Sequence, residues 1–237
     1  MNSCIIDNIP RYSKVIGKTD REIVLLKSLP CAYGKCAFCD YILDNEVDRN
    51  DIIEKNRIIL SHVTGEFGCL ETIDSASFFD LPDETILDIK NIVEEKKIKK
   101  LFLESHYMYK NKIQKLRDFF GIEIVVKIGI ESFDEKFRND FLKKGIFFKS
   151  VEELKKNFDS PCLMVGIKGQ TKEMIANDIK ILEENFNYGT INVYCNNSTP
   201  IKRDDELVKW FMENYSYLKE DKRFDFLYEN TDFGVGN

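Results

Sequence analysis

The strongest constraint on the fold is a recurring pattern in which short apolar, β-branched runs alternate with amphipathic stretches of 10 to 18 residues. This alternation is typical of βα units, in which each parallel strand is followed by a helix that covers the sheet. Six strands are predicted, over residues 22–28, 70–76, 99–105, 123–132, 162–168 and 190–196. Helices are predicted over residues 48–63, 82–97, 112–121, 134–145, 151–158, 171–186 and 204–218. The pattern therefore predicts the α/β class and a partial (β/α)6 TIM-like barrel with parallel strands.

The length of 237 residues suits one α/β barrel domain and is below the roughly 250 that a complete eightfold barrel needs. No internal repeat, low-complexity tract or Pro/Gly/Ser-rich linker interrupts the sequence. We therefore expect a single domain over 1–237, with a core at about 20–215 and a C-terminal extension at about 216–237. Functional residues should lie at the carboxyl ends of the strands, as they do in barrels of this kind.

Charge and hydropathy exclude some classes of protein. The net charge is −6, whereas proteins that bind nucleic acid directly usually carry a basic face that neutralises phosphates. Direct binding to nucleic acid is therefore not expected. No apolar run approaches the ~20 residues that cross a bilayer, so no membrane association is expected. The first residues lack the basic and apolar stretches of a secretory signal, which predicts a cytoplasmic protein.

Three cysteines, Cys31, Cys36 and Cys39, lie within nine residues in a loop after the first predicted strand. Gly34 lets this loop fold tightly, so that three sulfurs can point into one concavity. Three thiolates suit a [4Fe–4S] cluster with one open iron. Two alternatives remain: a structural zinc site, whose fourth ligand would be Cys69 or His62, and unrelated core cysteines. The other cysteines, at 4, 69, 162 and 195, are expected to be small buried side chains.

Polar side chains gather where the third and sixth strands end. The segment LFLESHYMY contributes Glu104, His106 and Tyr107, and the last strand contributes Asn192 and Asn196. A carboxylate can accept two N–H bonds from a guanine-like edge, and tyrosines offer stacking surfaces, so these residues are predicted to bind a polar heteroaromatic substrate. The alternative is a tyrosine-rich rim with one surface acid and ordinary loop asparagines.

The loop CAYGKCAFC resembles the radical S-adenosylmethionine (SAM) signature, Cys-x-x-x-Cys-x-x-Cys, with the aromatic Phe38 before the last cysteine. It departs from that signature by one residue, because four residues separate Cys31 from Cys36. The segments DSASFFD, KIGIESFDEKFRNDFLKKG and MVGIKGQT resemble later segments of the same superfamily, in the same order. The resemblance implies a radical SAM fold with a [4Fe–4S] cluster and SAM as cofactors.

The resemblance also implies roles for single residues. Ser75, Ala76 and Ser77 would meet the SAM amino group, Glu131 its ribose and Lys144 its carboxylate. The implied cofactor-binding residues are Phe38, Ser75, Ala76, Ser77, Glu131, Lys144 and Gly166. Taken alone, Glu131 could form a surface ion pair, Lys144 could favour a helix end, and Gly166 could be a turn glycine.

Within the superfamily, the short chain, the ESHY segment and the NTDFGVGN tail are similar to the queuine lyases of queuosine salvage, which are related to archaeosine synthases. Such a lyase cleaves queuine to 7-aminomethyl-7-deazaguanine by hydrogen abstraction with a 5′-deoxyadenosyl radical. The implied partners are a small deazapurine substrate and an electron donor of the flavodoxin or ferredoxin type. The alternatives are action on another small molecule or on a modified tRNA base, and a non-catalytic iron–sulfur redox sensor.

Overall fold

The computed structural model describes residues 11–228. One sheet of eight strands runs through them, with the strands in chain order from β1 to β8. β1 pairs antiparallel with β2, and every later neighbouring pair is parallel. The strands are β1 (Tyr12–Val15), β2 (Arg21–Leu26), β3 (Cys69–Asp74), β4 (Lys100–Glu104), β5 (Glu123–Glu131), β6 (Ser160–Val165), β7 (Gly189–Val193) and β8 (Phe224–Leu227).

Helices connect the parallel strands. They are α1 (Arg49–Leu60), α2 (Asp83–Glu95), α3 (Ile113–Phe120), α4 (Val151–Lys155), α5 (Lys172–Asn185) and α6 (Asp205–Tyr215). Several start at a side-chain cap, as in α5, where Thr171 accepts the backbone N–H of Met174. Gly121 ends α3 in the left-handed conformation, as the sequence predicts. Among the described residues, no helix has the length and apolar character needed to cross a membrane.

Alternation along the strands separates an outer core from an inner lumen. On β5, Ile124, Val126, Ile128 and Ile130 pack with the helices in the main hydrophobic cluster. Residues of opposite parity on the same strand, among them Lys127, Gly129 and Glu131, therefore face the concave side of the sheet. We call this concave interior the lumen, and its edge at the carboxyl ends of the strands the mouth.

The base of the lumen is closed by buried charges. Arg21 on β2 pairs with Glu71 on β3 at 2.5 Å and with Asp225 on β8 at 2.7 Å. Lys127 on β5 also pairs with Glu71, at 2.5 Å. Because Arg21 reaches Asp225, the sheet curls until β2 and β8 approach each other, as in a barrel that stays open.

The predicted partial barrel is confirmed, and the six predicted strands correspond to β2–β7. The four-residue strands β1 and β8 were not predicted. The helix predicted over 134–145 is instead a short π-helical turn at Phe137–Phe141. β8 brings part of the predicted C-terminal extension into the sheet, whereas Cys4 and the NTDFGVGN segment lie outside the described residues.

Candidate functional site

The cysteine loop lies at the mouth, directly after β2. Gly34 has φ +56°, and its N–H donates to the Cys31 sulfur at 3.4 Å, so the loop turns tightly as predicted. Backbone N–H groups of Tyr41 and Ile42 donate to Cys39. Burial raises the pKa of Cys36 to about 11, and the nearby Lys144 ammonium opposes that rise. Burial also raises the pKa of Cys39 and outweighs these N–H donors and the buried cation. A bound metal would supply the positive charge that deprotonates the thiols.

These donors fit an iron–sulfur cluster. Within residues 11–228, no three His, Cys, Asp or Glu side chains converge on one metal-ion position. A cubane does not need that convergence, because each thiolate binds a different iron at its own corner. Neither predicted fourth zinc ligand joins the loop: Cys69 begins β3 at the opposite edge of the sheet, and the His62 ring bonds backbone carbonyls at the end of α1.

Three charged side chains meet in the lumen just below the mouth. The Lys144 ammonium lies 2.7 Å from Glu131 Oε1. Both approach Gly129, where a Cβ would lie 2.6 Å from Glu131 Oε1, 2.9 Å from Lys144 Nζ and 3.3 Å from Glu104 Oε1. Gly129 is therefore the position on β5 that leaves room for them. Burial opposes the charge on Lys144, but the Glu131 carboxylate outweighs it and raises the pKa of Lys144.

The backbone at Glu131 is strained. Its φ is +65°, and the N–H of Ser132 donates to the carbonyl of Ile130 at 2.8 Å, which forms a γ-turn centred on Glu131. The β5–β6 register shifts between Gly129 and Glu131, as at a bulge that redirects a side chain. A glutamate with positive φ costs about 1–3 kcal/mol and persists only where its surroundings impose it.

Buried polar groups impose this turn. Arg138, which is 1% exposed, donates from its guanidinium to the carbonyls of Ser132 at 2.9 Å, Phe133 at 3.1 Å and Ile146 at 2.9 Å. Asp178 on α5 accepts the N–H of Phe133 at 2.7 Å. Arg138 thus joins the turn at Glu131 to the loop that carries Lys144.

Glu104, at the end of β4, differs from its neighbours in having no hydrogen-bond partner within residues 11–228. Burial raises the pKa of Glu104, while Lys144 and Lys127 oppose the rise. Asp74, at the end of β3, is buried, and Glu104 adds to the rise in its pKa. The Glu104 carboxylate therefore has unused hydrogen-bond acceptor capacity, which donor groups of a ligand could fill.

The segment after β3 lies beside the cysteine loop. The Ser75 hydroxyl accepts a bond from Asn45 Nδ2 at 2.9 Å, and Asn45 Oδ1 accepts the N–H of Cys31 at 3.2 Å. The backbone N–H of Ala76 donates to Asp74 Oδ1 at 2.9 Å, and the Ser77 hydroxyl accepts the N–H of His106 at 3.2 Å. Phe38 lies under the Lys144 ammonium, 5.2 Å from it.

Two further residues of the lumen are Asn192 on β7 and Cys162 on β6. The Asn192 Oδ1 atom is buried and has no hydrogen-bond partner within the described ranges. Burial raises the pKa of Cys162 to about 12, so this thiol remains protonated. Cys162 is only half-buried, whereas Cys69 is buried as predicted and Cys195 is partly exposed.

Three predicted site residues lie apart from the charged group. Tyr107 packs in the outer core against Phe158, and its hydroxyl donates to Glu153 at 3.1 Å, because the 3₁₀ turn after β4 directs it away from the lumen. Asn196 lies on an exposed loop, where its Oδ1 accepts the N–H of Arg203. At Gly166, with φ +86°, a Cβ would lie 2.2 Å from Val208 of α6, so the close approach of this helix explains the glycine.

His106 lies at the mouth, but both ring nitrogens are already used. Nδ1 accepts the N–H of Met108 at 3.2 Å, and Nε2 then donates to the carbonyl of Lys144 at 3.1 Å. Burial, aided by the Lys144 charge, lowers the pKa of His106 to about 4, so the ring is neutral near pH 7. The predicted substrate contact of His106 would have to use its ring face or edge.

Sequence reasoning missed several residues that hold the cysteine loop. Asn45 is one, and Asp80 is another, since its backbone carbonyl accepts the N–H of Leu29, just before the loop, at 3.2 Å. Asn197 donates to the carbonyl of Phe38 at 2.7 Å from the loop after β7. None of these belongs to a motif, and their contacts join segments far apart in the chain, so no local signal identifies them.

The protein is 58% identical to a queuine lyase from Clostridium spiroforme that was solved bound to SAM and queuine. The match covers 96% of this chain and 99% of that chain, with a TM-score of 0.94. The chain belongs to the queuine lyase family. No family model matches it.

Two further matches are more distant. SuiB of Streptococcus suis, solved bound to SAM, is 16% identical, has a TM-score of 0.54 over 86% of this chain and 49% of that chain, and shares the fold alone. An uncharacterized protein of Methanocaldococcus jannaschii is 25% identical over 191 residues, which are 71% of this chain. The match spans 50% of the length of that curated relative. The predicted radical SAM resemblance is confirmed.

Proposed function

We propose that this protein is a radical SAM lyase that cleaves a carbon–nitrogen bond of queuine and leaves 7-aminomethyl-7-deazaguanine. The observation that carries the proposal is the 58% identity to a queuine lyase over 99% of that chain. The described site supports it independently, because the cysteine loop, the Glu131–Lys144 pair and the unpartnered Glu104 lie together at one mouth.

The chain's residues divide the proposed work. Cys31, Cys36 and Cys39 would hold the [4Fe–4S] cluster, and Glu131 and Lys144 with residues 75–77 would hold SAM. When bound, cluster and SAM supply a carbon-centred radical that takes a hydrogen atom from the substrate. The protein orients the substrate and keeps water out, and the ion network fills the base of the lumen.

Glu104 is the proposed reader of the base. A deazaguanine presents an N–H and an exocyclic amine side by side, and a carboxylate accepts both in bidentate fashion. Asn192 Oδ1 lies in the same lumen as a second acceptor without a partner in the described ranges.

With this substrate assigned, we also propose a flavodoxin- or ferredoxin-type electron donor and action in the cytoplasm, where thiols stay reduced.

The test is an anaerobic incubation of reconstituted protein with SAM, dithionite and queuine, read by mass. We expect 7-aminomethyl-7-deazaguanine and 5′-deoxyadenosine to appear together and to require all three additions. Consumption of SAM with no change in queuine, but with change in another deazapurine, would overturn the substrate assignment and leave the cofactors standing.

Iron content tests the cofactor assignment separately. Reconstituted protein should contain about four irons and four sulfides per chain. Replacing Cys31, Cys36 or Cys39 singly by Ala should remove most of the iron, because each is a ligand. Cys69→Ala is the matched control, since this thiol lies at the other edge of the sheet and its loss should leave the iron in place. Stoichiometric zinc in place of iron would contradict the assignment.

A further inference from the structure

Two aromatic side chains connect the cysteine loop to the loop that carries Lys144. Tyr33 is one of the four residues between Cys31 and Cys36, and its ring stacks on His106 with centroids 4.4 Å apart and planes 18° apart. The Tyr33 hydroxyl donates to the carbonyl of Lys143 at 2.6 Å. His106 Nε2 bonds the next carbonyl, that of Lys144, at 3.1 Å.

The two bonds hold an unusual piece of backbone. Lys143 has φ +57° and Gly145 has φ +65°, so the residues on both sides of Lys144 are left-handed. A Cβ at Gly145 would lie 2.3 Å from the Tyr33 hydroxyl, so a glycine is needed both for the φ angle and for the contact. The carbonyls of residues 143 and 144 therefore lie just before and just after the Cα atom of Lys144. Tyr33 donates to the first and His106 to the second.

We propose that Tyr33 and His106 form a clamp whose function is to position the Lys144 ammonium for SAM. The clamp residues are positioning residues, since they act on Lys144 through its backbone, and the inference rests on the proposed function as a SAM enzyme. The proposal also gives the longer spacing between Cys31 and Cys36 a purpose. The additional residue in this loop, relative to the three-residue spacing it resembles, accompanies an aromatic that reaches across the mouth to residue 143.

The clamp can influence SAM binding because the Lys144 ammonium is buried between close partners. Its ammonium is 2.7 Å from Glu131 and 5.2 Å from the Phe38 ring, so a shift of the backbone moves a buried charge relative to both partners. The cysteine loop has a further tie to this segment, because the N–H of Ala37 donates to the carbonyl of Leu142 at 2.9 Å. Loss of one clamp bond should therefore displace Lys144 without releasing the loop.

The experiment compares Tyr33→Phe and His106→Phe with Tyr217→Phe, a control that loses a similar hydroxyl bond, 3.1 Å to Glu183, on the outside of the fold. Iron content, thermal midpoint and SAM affinity are measured on each reconstituted protein. We expect full iron loading in all three and SAM binding weakened roughly 3–10-fold in the two clamp variants only. The EPR change that SAM produces in the reduced cluster should also differ from wild type at saturating SAM.

A double-mutant cycle with Lys144→Met shows whether the clamp acts through Lys144. In that background, Tyr33→Phe should have almost no further effect on SAM affinity, whereas independent effects would add. Additive losses, or SAM affinities equal to that of Tyr217→Phe, would overturn the clamp. If wild-type protein itself does not bind SAM, the proposed function fails, an outcome distinct from a wild type that binds SAM and clamp variants that bind it equally well.

Discussion

At the scale of single residues, Glu104 is a half-buried carboxylate that lacks hydrogen-bond donors within residues 11–228. Its carboxylate has a raised pKa because burial penalises the charge, and no group within residues 11–228 donates to it. A half-buried carboxylate without donors is partly desolvated, which destabilises the free protein, and it is stabilised once a ligand supplies donors. We therefore expect Glu104 to lower the stability of the free protein and to strengthen the binding of a ligand that donates hydrogen bonds to it.

Replacing Glu104 by Gln should weaken queuine binding ~10–100-fold, since charge-assisted bonds of roughly 1.5–3 kcal/mol are lost. SAM affinity and iron content should be unchanged, and separate titrations with queuine and SAM check this. Unchanged queuine affinity would remove Glu104 from the base pocket. Lost SAM affinity would reassign it to the cofactor.

The same variant has a signature in the pH dependence of stability. Between the ordinary pKa of a glutamate and the raised pKa in the folded protein, the folded state binds more protons than the unfolded state. The free energy of unfolding contributed by Glu104 therefore falls as pH rises through that window. Glu104→Gln should raise the thermal midpoint at pH 8, by ~2–4 °C for each kcal/mol gained, and much less at pH 5. A variant that is less stable than wild type at pH 8 would contradict this account.

Gly129 is the second residue whose identity the site requires. Gly129→Ala would place a methyl group 2.6 Å from Glu131 Oε1 and 2.9 Å from Lys144 Nζ, so the ion pair must shift. We expect a loss of roughly 1–3 kcal/mol in stability from overpacking and a weaker affinity for SAM. Gly121→Ala is the control, since φ +67° there costs stability but nothing lies within 4 Å. Equal SAM affinity in both variants would show that the charged group tolerates the methyl.

At the scale of elements, the π-helical turn at Phe137–Phe141 orients the site where a regular helix was predicted. Arg138 in this turn donates to the carbonyl of Ser132, next to Glu131 in the chain, and to that of Ile146, two residues after Lys144. Arg138→Lys keeps the charge but loses the forked geometry, so at least one buried carbonyl is left unpaired, at about 1–3 kcal/mol.

The expected result for Arg138→Lys is lower stability together with weaker SAM binding in the protein that remains folded. Chemical denaturation and a SAM titration measure the two effects. Arg117→Lys provides the control, because Arg117 pairs with Asp159 at a partly exposed position where an ion pair contributes little. Lower stability with wild-type SAM affinity would limit Arg138 to a role in folding.

Elements also show what the sequence could predict. The strands β2–β7 are marked by β-branched runs between helices, so periodicity finds them, whereas β1 and β8 have four residues each and too little pattern. Glu104 and Tyr107 stand three residues apart, yet the 3₁₀ turn after β4 separates them, one in the lumen and one in the outer core. Turn geometry of this kind depends on tertiary contacts such as that of Tyr107 with Phe158, which no local pattern encodes.

At the scale of the whole molecule, the buried network of Arg21, Glu71, Lys127 and Asp225 closes one end of the lumen. Burial opposes the charge of Glu71, but Lys127 and Arg21 prevail and lower its pKa to about 2, so the Glu71 carboxylate stays ionised at physiological pH. The network therefore blocks the end of the lumen that lies opposite the cysteine loop.

Net charge then distinguishes a free base from a tRNA-bound one. A chain with net charge −6 repels a polyanion, and a substrate held on tRNA would have to recruit 6–10 phosphate contacts against that field. With such contacts, affinity would fall ~10³–10⁵-fold between ~50 and 200 mM salt, because counterions released on binding compete more strongly as salt rises. A free base carries no phosphates, so KM for queuine should change little over the same range. The measurement is initial rate against queuine concentration at several salt concentrations, with queuosine-containing tRNA tested in parallel. A flat dependence together with no reaction on the tRNA supports the free base, whereas a steep slope or turnover of intact tRNA alone would reassign the substrate.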